Sequence, residues 1–447
     1  MKRTSRPRSL IAPQWLLAVS LPFLALTQAR APWINHAQSA LPLQRHWWGR
    51  VTRGGSSISE ANRHAETISS DTTSTEDNTH QSNNNDTHSQ SNATTTAANQ
   101  TIVEAWKQEL PPPLCFKSTK TLQRICVPYQ NHVAEIYLLG TAHVSNDSSR
   151  DVKLLLETLH PDVIFVELCE QRTALMEDPP DILLPTNNNN TNDDNTTTTK
   201  LSFSQKVKEL QRHTQNSKLQ CMATVLLTST QEEYAESLGV ELGGEFRVAY
   251  QYWRSMRTYK GQRRPHLILG DRPLAITLAR CWESLSFFGK IKVLIGLLLS
   301  SFHKPSPEEL RAWIQKIMDD ETDLLSSSLE ELRRHFPSLE RVIIQERDAY
   351  MACKLYQLCR GMLVSAVKQQ QQQQPSYGGD NRIVIAALVG AGHVPGICAW
   401  LTTKDHPEGP EAILDGLIAT KKFANEDLSP LVYDVTELQD MPQSQQQ

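Results

Sequence analysis

The chain has 447 residues, with 45 Lys and Arg against 49 Asp and Glu, for a net charge of −4. That balance leaves no basic footprint for nucleic acid. The eight cysteines (Cys115, Cys126, Cys169, Cys221, Cys281, Cys353, Cys359 and Cys398) are scattered without a Cys-x-x-Cys pair, which argues against a zinc ribbon or thioredoxin-type motif and favours buried free thiols, although Cys115 and Cys126 could pair in an oxidising compartment.

In chain order, Lys2, Arg3, Arg6 and Arg8 precede an apolar stretch from Leu10 to Leu26, which small residues follow up to Ala31. Residues 1–31 therefore read as a signal or targeting segment. No Asp or Glu occurs before Glu60, and arginines continue at Arg45, Arg50 and Arg53. An organelle transit peptide fits this pattern as well as a secretory leader does. Pro13 and Pro22 make the stretch a poor permanent span, and an uncleaved anchor stays open. Residues 32–100 are rich in Ser, Thr and Asn and are expected to be disordered, because they cannot bury enough apolar surface to offset their ordering entropy. Residues 101–436 form the candidate folded domain, with low-complexity loops at 185–200 and 369–380, and 437–447 are a disordered tail.

Within that domain the run from Val133 to Gly140 reads as a buried strand, closed by glycine and followed by His143. A helix is predicted from Ser148 to Leu159, with Val152, Leu155, Leu156 and Leu159 on one face. The span from Pro161 to Glu167 is a second buried strand, and helical periodicity dominates from Phe203 to about Lys260. A third strand from Pro265 to Gly270 leads into Asp271, Arg272 and Pro273. The most apolar helix, Phe287 to Leu299, contains Lys290 and Lys292 and is short for a membrane span. A buried core helix is its favoured reading, and a helix lying on a membrane or gripping a partner is the second. Pro305 to Val367 is helical with a break near Pro337, and Ile383 to Val389 is the last strand, closed by Gly390 with His393 three positions on. Strands alternating with long helices imply an α/β fold with a mostly parallel central sheet flanked by helices.

The four predicted strand exits deliver His143, Glu167, Asp271 with Arg272, and His393. In parallel strands these groups share one edge of the sheet, where ligands of open α/β sheets bind. Two imidazoles and a carboxylate suit Zn, Mn, Co or Fe. Without a metal, Glu167 and a histidine could act as general base and acid. Each residue also has a plainer role: either histidine as a cap or core residue, and Asp271 and Pro273 as the start of a helix. The repetition at four exits is what favours a joint site. A dinucleotide loop at Gly390–Gly396 is disfavoured, because Pro395 stands where the third glycine of that fingerprint belongs.

At these residues the chain resembles the TraB/PrgY family, whose animal relatives include the TIKI proteins. The matching runs are Leu139–Ser145, Pro161–Arg172, Gly243–Ala249, Leu269–Pro273, Glu346–Asp348 and Val389–Ile397, in family order. The pattern is nearest to eukaryotic TraB domain-containing members. The resemblance implies an α/β fold related to the erythromycin-esterase and ChaN-like group. It also implies a metal-dependent peptidase acting on a peptide or protein, with Mn or Co favoured over Zn. His143, His393 and Glu167 would then be metal ligands or catalytic groups. Arg272, Glu245 and Arg347 would orient substrate or Glu167, with Arg272 also facing the developing oxyanion. Members of this type are associated with mitochondria and organelle membranes, so a mitochondrial address with peripheral membrane association is expected. The rival expectation is a non-catalytic organelle regulator or tether that keeps the fold as a binding platform.

Overall fold

The computed structural model describes residues 43–46, 122–141, 146–176, 202–213, 217–226, 243–256, 264–302, 308, 330, 332–372, 381–403 and 408–438. The targeting segment, the low-complexity insertion at 185–200, residues 373–380 of the second, His143 and the tail from 439 onward lie outside these residues. Residues 369–372, expected in a loop, are instead helical, and Glu437 and Leu438, expected in the tail, belong to a strand.

The described strands are β1 (Leu43–His46), β2 (Leu122–Tyr129), β3 (His132–Thr141), β4 (Val163–Val166), β5 (His266–Leu269), β6 (Arg382–Gly390) and β7 (Val435–Leu438), in the order β1-β7-β5-β4-β6-β3-β2. The principal helices are α1 (Asn146–Leu159), α2 (Phe203–His213), α3 (Gly244–Ser255), α4 (Leu274–Ser284), α5 (Phe287–Phe302), α6 (Glu346–Gln372), α7 (Val394–Thr402) and α8 (Pro410–Ile418).

The α/β expectation holds, but the sheet is mixed. The four strands predicted from apolar runs form its parallel centre, through the pairs β3–β6, β6–β4 and β4–β5. Three further pairs, β2–β3, β5–β7 and β7–β1, are antiparallel, so mostly parallel describes only the centre. The reason is local for β2. It joins β3 through Gln130 and Asn131, with Gln130 in the left-handed region at φ 53°, and a tight hairpin can connect only antiparallel strands. β2 and β7 carry mixed burial along their length, so neither shows the continuous apolar run that marks a central strand. β1 falls inside a stretch whose composition suggests no structure.

Both faces of the central strands are buried. On one face Tyr137, Leu139, Ile164, Val166, Leu267 and Leu388 pack with Leu155 and Leu156 of α1 and with Phe246 and Trp253 of α3. On the other, Ile136, Leu138, Phe165, Ile268 and Ile385 meet Met351, Leu355 and Leu358 of α6 and Ile397 of α7. Period-two alternation thus feeds two cores rather than one core and solvent. The two motifs that share a Gly-x-x-His cadence lie on adjacent strands, with Gly140 opposite Val389 and Thr141 opposite Gly390.

Gly270, which closes β5, is required by crowding. A Cβ there would sit 1.9 Å from Cζ of the fully buried Phe165. Gly270→Ala is therefore expected to lower stability by about 1–3 kcal/mol or more through overpacking. A urea midpoint equal to that of the parent protein would contradict this account of the glycine.

Candidate functional site

Because β3, β4, β5 and β6 run parallel, their carboxyl ends open on one side. Glu167 follows β4 directly, Asp271 stands two residues beyond β5, and His393 ends a short 3-10 turn after β6. A further contribution comes from a helix. α6 starts with Glu346, Arg347 and Asp348 immediately after a π turn at Arg341–Gln345, which widens the backbone where the charges enter the core.

Arg347 is fully buried and holds the cluster together. Its Nε donates to Asp271 Oδ1 and its Nη2 to Asp271 Oδ2, both at 2.9 Å, a bidentate fork. Nη2 also donates to Glu167 Oε1, and Nη1 lies 3.1 Å from His393 Nε2. The second oxygen of Glu167 accepts the Gly390 backbone N–H at 2.6 Å, which ties the β4 exit to the end of β6. Arg172, on the 3-10 turn after β4, donates from Nη2 to Asp271 Oδ2 at 2.8 Å and to the Glu167 carbonyl at 2.5 Å. Burial would lower the Arg347 guanidinium, but Asp271 and Glu167 outweigh it and hold the group above the usual arginine range.

His393 is oriented from both sides. Its Nδ1 lies 2.5 Å from Asp348 Oδ1, and its Nε2 lies 3.4 Å from Glu167 Oε1. Burial would lower the imidazole, but Glu167 and Asp348 overcome both burial and Arg347 and push it up to about 9. Burial pushes the Asp348 carboxyl up, against the pull of His393. The two thus form a coupled pair that retains a proton at neutral pH. Gly396 makes the pair possible: a Cβ at that position would lie 2.0 Å from Asp348 Oδ2.

Of the residues expected from sequence, Glu167, Asp271, Arg347 and His393 come together. His143 lies outside the described residues, although β3, which leads to it, ends beside β6. Arg272 is buried but faces away from Glu167. Its Nε donates to Thr277 at 3.0 Å, Nη1 to Glu346 and the Leu417 carbonyl at 2.9 Å, and Nη2 to the Val342 carbonyl at 3.0 Å. It anchors the loops to the start of α6. Glu245 is buried in the first turn of α3, which packs against the 3-10 turn carrying Arg172. The residues that residue-by-residue reading passed over are Asp348 and Arg172. Each lay in a quoted motif, and for Asp348 the available signal was the placement of charge in a largely apolar helical stretch from Val342 to Met351.

The described donors do not fit the divalent ion that the family resemblance implies. Both oxygens of Glu167 and both of Asp271 are held by guanidinium or backbone N–H donors, and both ring nitrogens of His393 face partners. Among the described residues, no group of three His, Cys, Asp or Glu side chains is set to hold a metal. Arg347 is the cation that these two carboxylates meet among the described residues. Cys169, beside Asp271 and Arg172, is buried, and burial pushes its thiol up, away from nucleophilic thiolate.

An α/β protein with an arginine-clamped carboxylate and histidine cluster at the strand ends is the class that fold and site define. The TraB/PrgY/gumN family model matches residues 129–403, which spans every strand exit above, and the chain belongs to that family. TraB domain-containing proteins of mouse and human are each 31% identical over 266 residues, covering 59% of this chain and 62% of theirs. An uncharacterized protein of the archaeon Methanocaldococcus jannaschii is 26% identical over 288 residues, covering 64% of this chain and 58% of its own. The chain thus spans somewhat less than two thirds of the length of these relatives.

Two predictions follow from the electrostatics. Arg347→Met leaves Glu167 and Asp271 with less compensation in a buried site and should cost about 3–5 kcal/mol. The exposed Arg150→Met should change stability by less than about 0.5 kcal/mol; equal urea midpoints for the two variants would remove Arg347 from its central place. His393 is raised from its ordinary 6.5 to about 9 in the folded state, so its contribution is full below 6.5 and fades as pH rises through about 9. Urea midpoints should fall across that window in the parent protein, and the fall should be smaller in His393→Gln.

Proposed function

We propose that the protein is a hydrolase of peptide bonds whose acid–base group is His393. The observation that carries this reading is the placement of His393 between Asp348, 2.5 Å from Nδ1, and Glu167, 3.4 Å from Nε2, at the shared edge of the parallel strands. A protonated imidazole held at neutral pH is suited to give a proton to the leaving nitrogen of a scissile amide. Asp348 fixes the ring and stabilises its charged form. Glu167, whose Oε1 lies 3.4 Å from His393 Nε2, would accept the proton of an attacking water. Arg347 holds Glu167 in position and supplies fixed positive charge in a site shielded from solvent, where charge acts strongly. Burial keeps Cys169, the cysteine beside the cluster, as a thiol, and water is the nucleophile in this reading. Membership of the TraB/PrgY/gumN family supports it without naming a substrate.

The test is digestion of a peptide library by the full chain. His393→Gln is expected to reduce kcat by at least about a hundredfold. Asp348→Asn should lower kcat more than it raises KM and should shift the alkaline limb of the pH profile, set by protonated His393, to lower pH. Chelation with EDTA should leave turnover unchanged, since the described donors are occupied by Arg347 and Arg172. A parent protein that cleaves no peptide, or a His393→Gln variant that cleaves normally, would sink the proposal in favour of a binding platform. Loss of turnover in EDTA would return the site to a metal-bound reading through His143.

A further inference from the structure

We propose, resting on the hydrolase reading above, that Arg172 is a positioning residue for Glu167. It holds the base of that reaction in two ways, through the Glu167 main chain and through Asp271.

Glu167 is held at three points. The Gly390 N–H donates to its Oε2 at 2.6 Å, Arg347 Nη2 donates to its Oε1, and Arg172 Nη2 donates to its main-chain carbonyl at 2.5 Å. The first two contacts fix the carboxylate, and the third fixes the backbone just after β4 has ended. The Glu167 N–H still bonds to the Leu388 carbonyl of β6 at 3.0 Å, but the Leu168 N–H turns back to the Val166 carbonyl at 2.8 Å. The chain therefore leaves the sheet at Glu167, and Arg172 takes up the carbonyl at that point.

The second route runs through Asp271. Its Oδ1 accepts from Arg347 Nε at 2.9 Å and from the Arg272 N–H at 2.8 Å. Its Oδ2 accepts from Arg347 Nη2 at 2.9 Å and from Arg172 Nη2 at 2.8 Å. Four donors saturate this carboxylate. Arg347 Nη2 thus serves Asp271 and Glu167 at once. Without Arg172, Oδ2 would have Arg347 as its one guanidinium, and the stronger pull would draw Nη2 toward Asp271 and away from Glu167.

A purely structural role would not call for arginine. The 3-10 turn Glu170–Met176 is already anchored, by Leu175 and Met176 in the core beside Phe246 and by the Arg172 N–H on the Cys169 carbonyl at 2.9 Å. An apolar side chain at position 172 would fasten the same turn without the cost of taking a guanidinium out of water. The buried charge is aimed instead at the backbone of the base and at the carboxylate that shares its arginine.

The experiment compares the full parent chain with Arg172→Met, by turnover of a peptide that the parent cleaves and by amide hydrogen exchange. Arg172→Met should lower kcat at least about tenfold while KM changes less than about twofold. The Gly390 amide, which donates to Glu167 Oε2, reports the carboxylate without any turnover. Its exchange rate relative to that of Ile385, in the middle of β6, should rise at least about tenfold. If Arg172→Met does not fold, Arg172→Lys keeps the charge without the planar fork and should show both changes at about threefold or more. An unchanged kcat overturns the proposal. So does an unchanged ratio of Gly390 to Ile385 exchange, since a loss of stability alone would speed both amides together. A parent chain that cleaves no peptide overturns the hydrolase reading by itself, and the Gly390 ratio then decides whether Arg172 sets the carboxylate.

Discussion

A single buried guanidinium organises the carboxyl edge of this sheet. Arg347 reaches from the first turn of α6 to the exits of β4 and β5 and to the turn after β6, so three strands and a helix meet at one planar group. Such a contact is demanding, because each charge removed from water must be matched in geometry as well as in sign. The match here is close: two donors face both oxygens of Asp271, a third contact fixes Glu167, and Arg172 completes the second side of Asp271. A neighbouring clamp has the same logic, with Arg272 and Arg280 both donating to Glu346. Burial would raise Glu346, and those two arginines hold it below the usual carboxylate range instead. The edge is therefore rigid in the way that satisfied polar networks are rigid, with few alternative partners for any member.

Close backbone approach is the second constraint, and it explains why glycines stand where they do. Gly140 closes β3 with the backbone of Ala391 so near that a Cβ would lie 2.9 Å from its Cα. Gly396 leaves room for the Asp348 carboxylate on its path to His393. The glycines of the two motifs thus matter less for turning the chain than for letting the β6 exit press against its neighbours. The histidine that results is oriented by a helix residue rather than by anything in its own motif.

The central strands were legible because burial on both faces forces continuous runs of apolar, β-branched residues, and Val163–Val166 or Ile383–Val389 can hardly be read otherwise. The edge strands were not, since β2 mixes Gln123, Arg124 and Pro128 with its apolar residues and, among the described strands, pairs on one side only. Glu167, Asp271 and His393 could be placed together from their positions after parallel strands. Asp348 could not, because its partnership with His393 spans 45 residues and depends on how α6 lies across the sheet. Arg272 shows the opposite failure. It occupies the right strand exit, yet the adjacent Asp271 takes the inward direction and Arg272 turns to Glu346 and to the carbonyls of Val342 and Leu417.

The amino-acid sequence by itself determined the α/β class, the parallel centre of the sheet, the edge at which chemistry is concentrated and the family. These follow from local pattern, in which burial and turn chemistry act on neighbouring residues. Tertiary structure alone decided that the sheet is mixed and that arginine, not a vacant cradle, stands between the carboxylates. It also decided that Asp348 serves the histidine and that Arg272 turns to Glu346. Those outcomes depend on the relative placement of elements far apart in the chain, and no local pattern carries that placement.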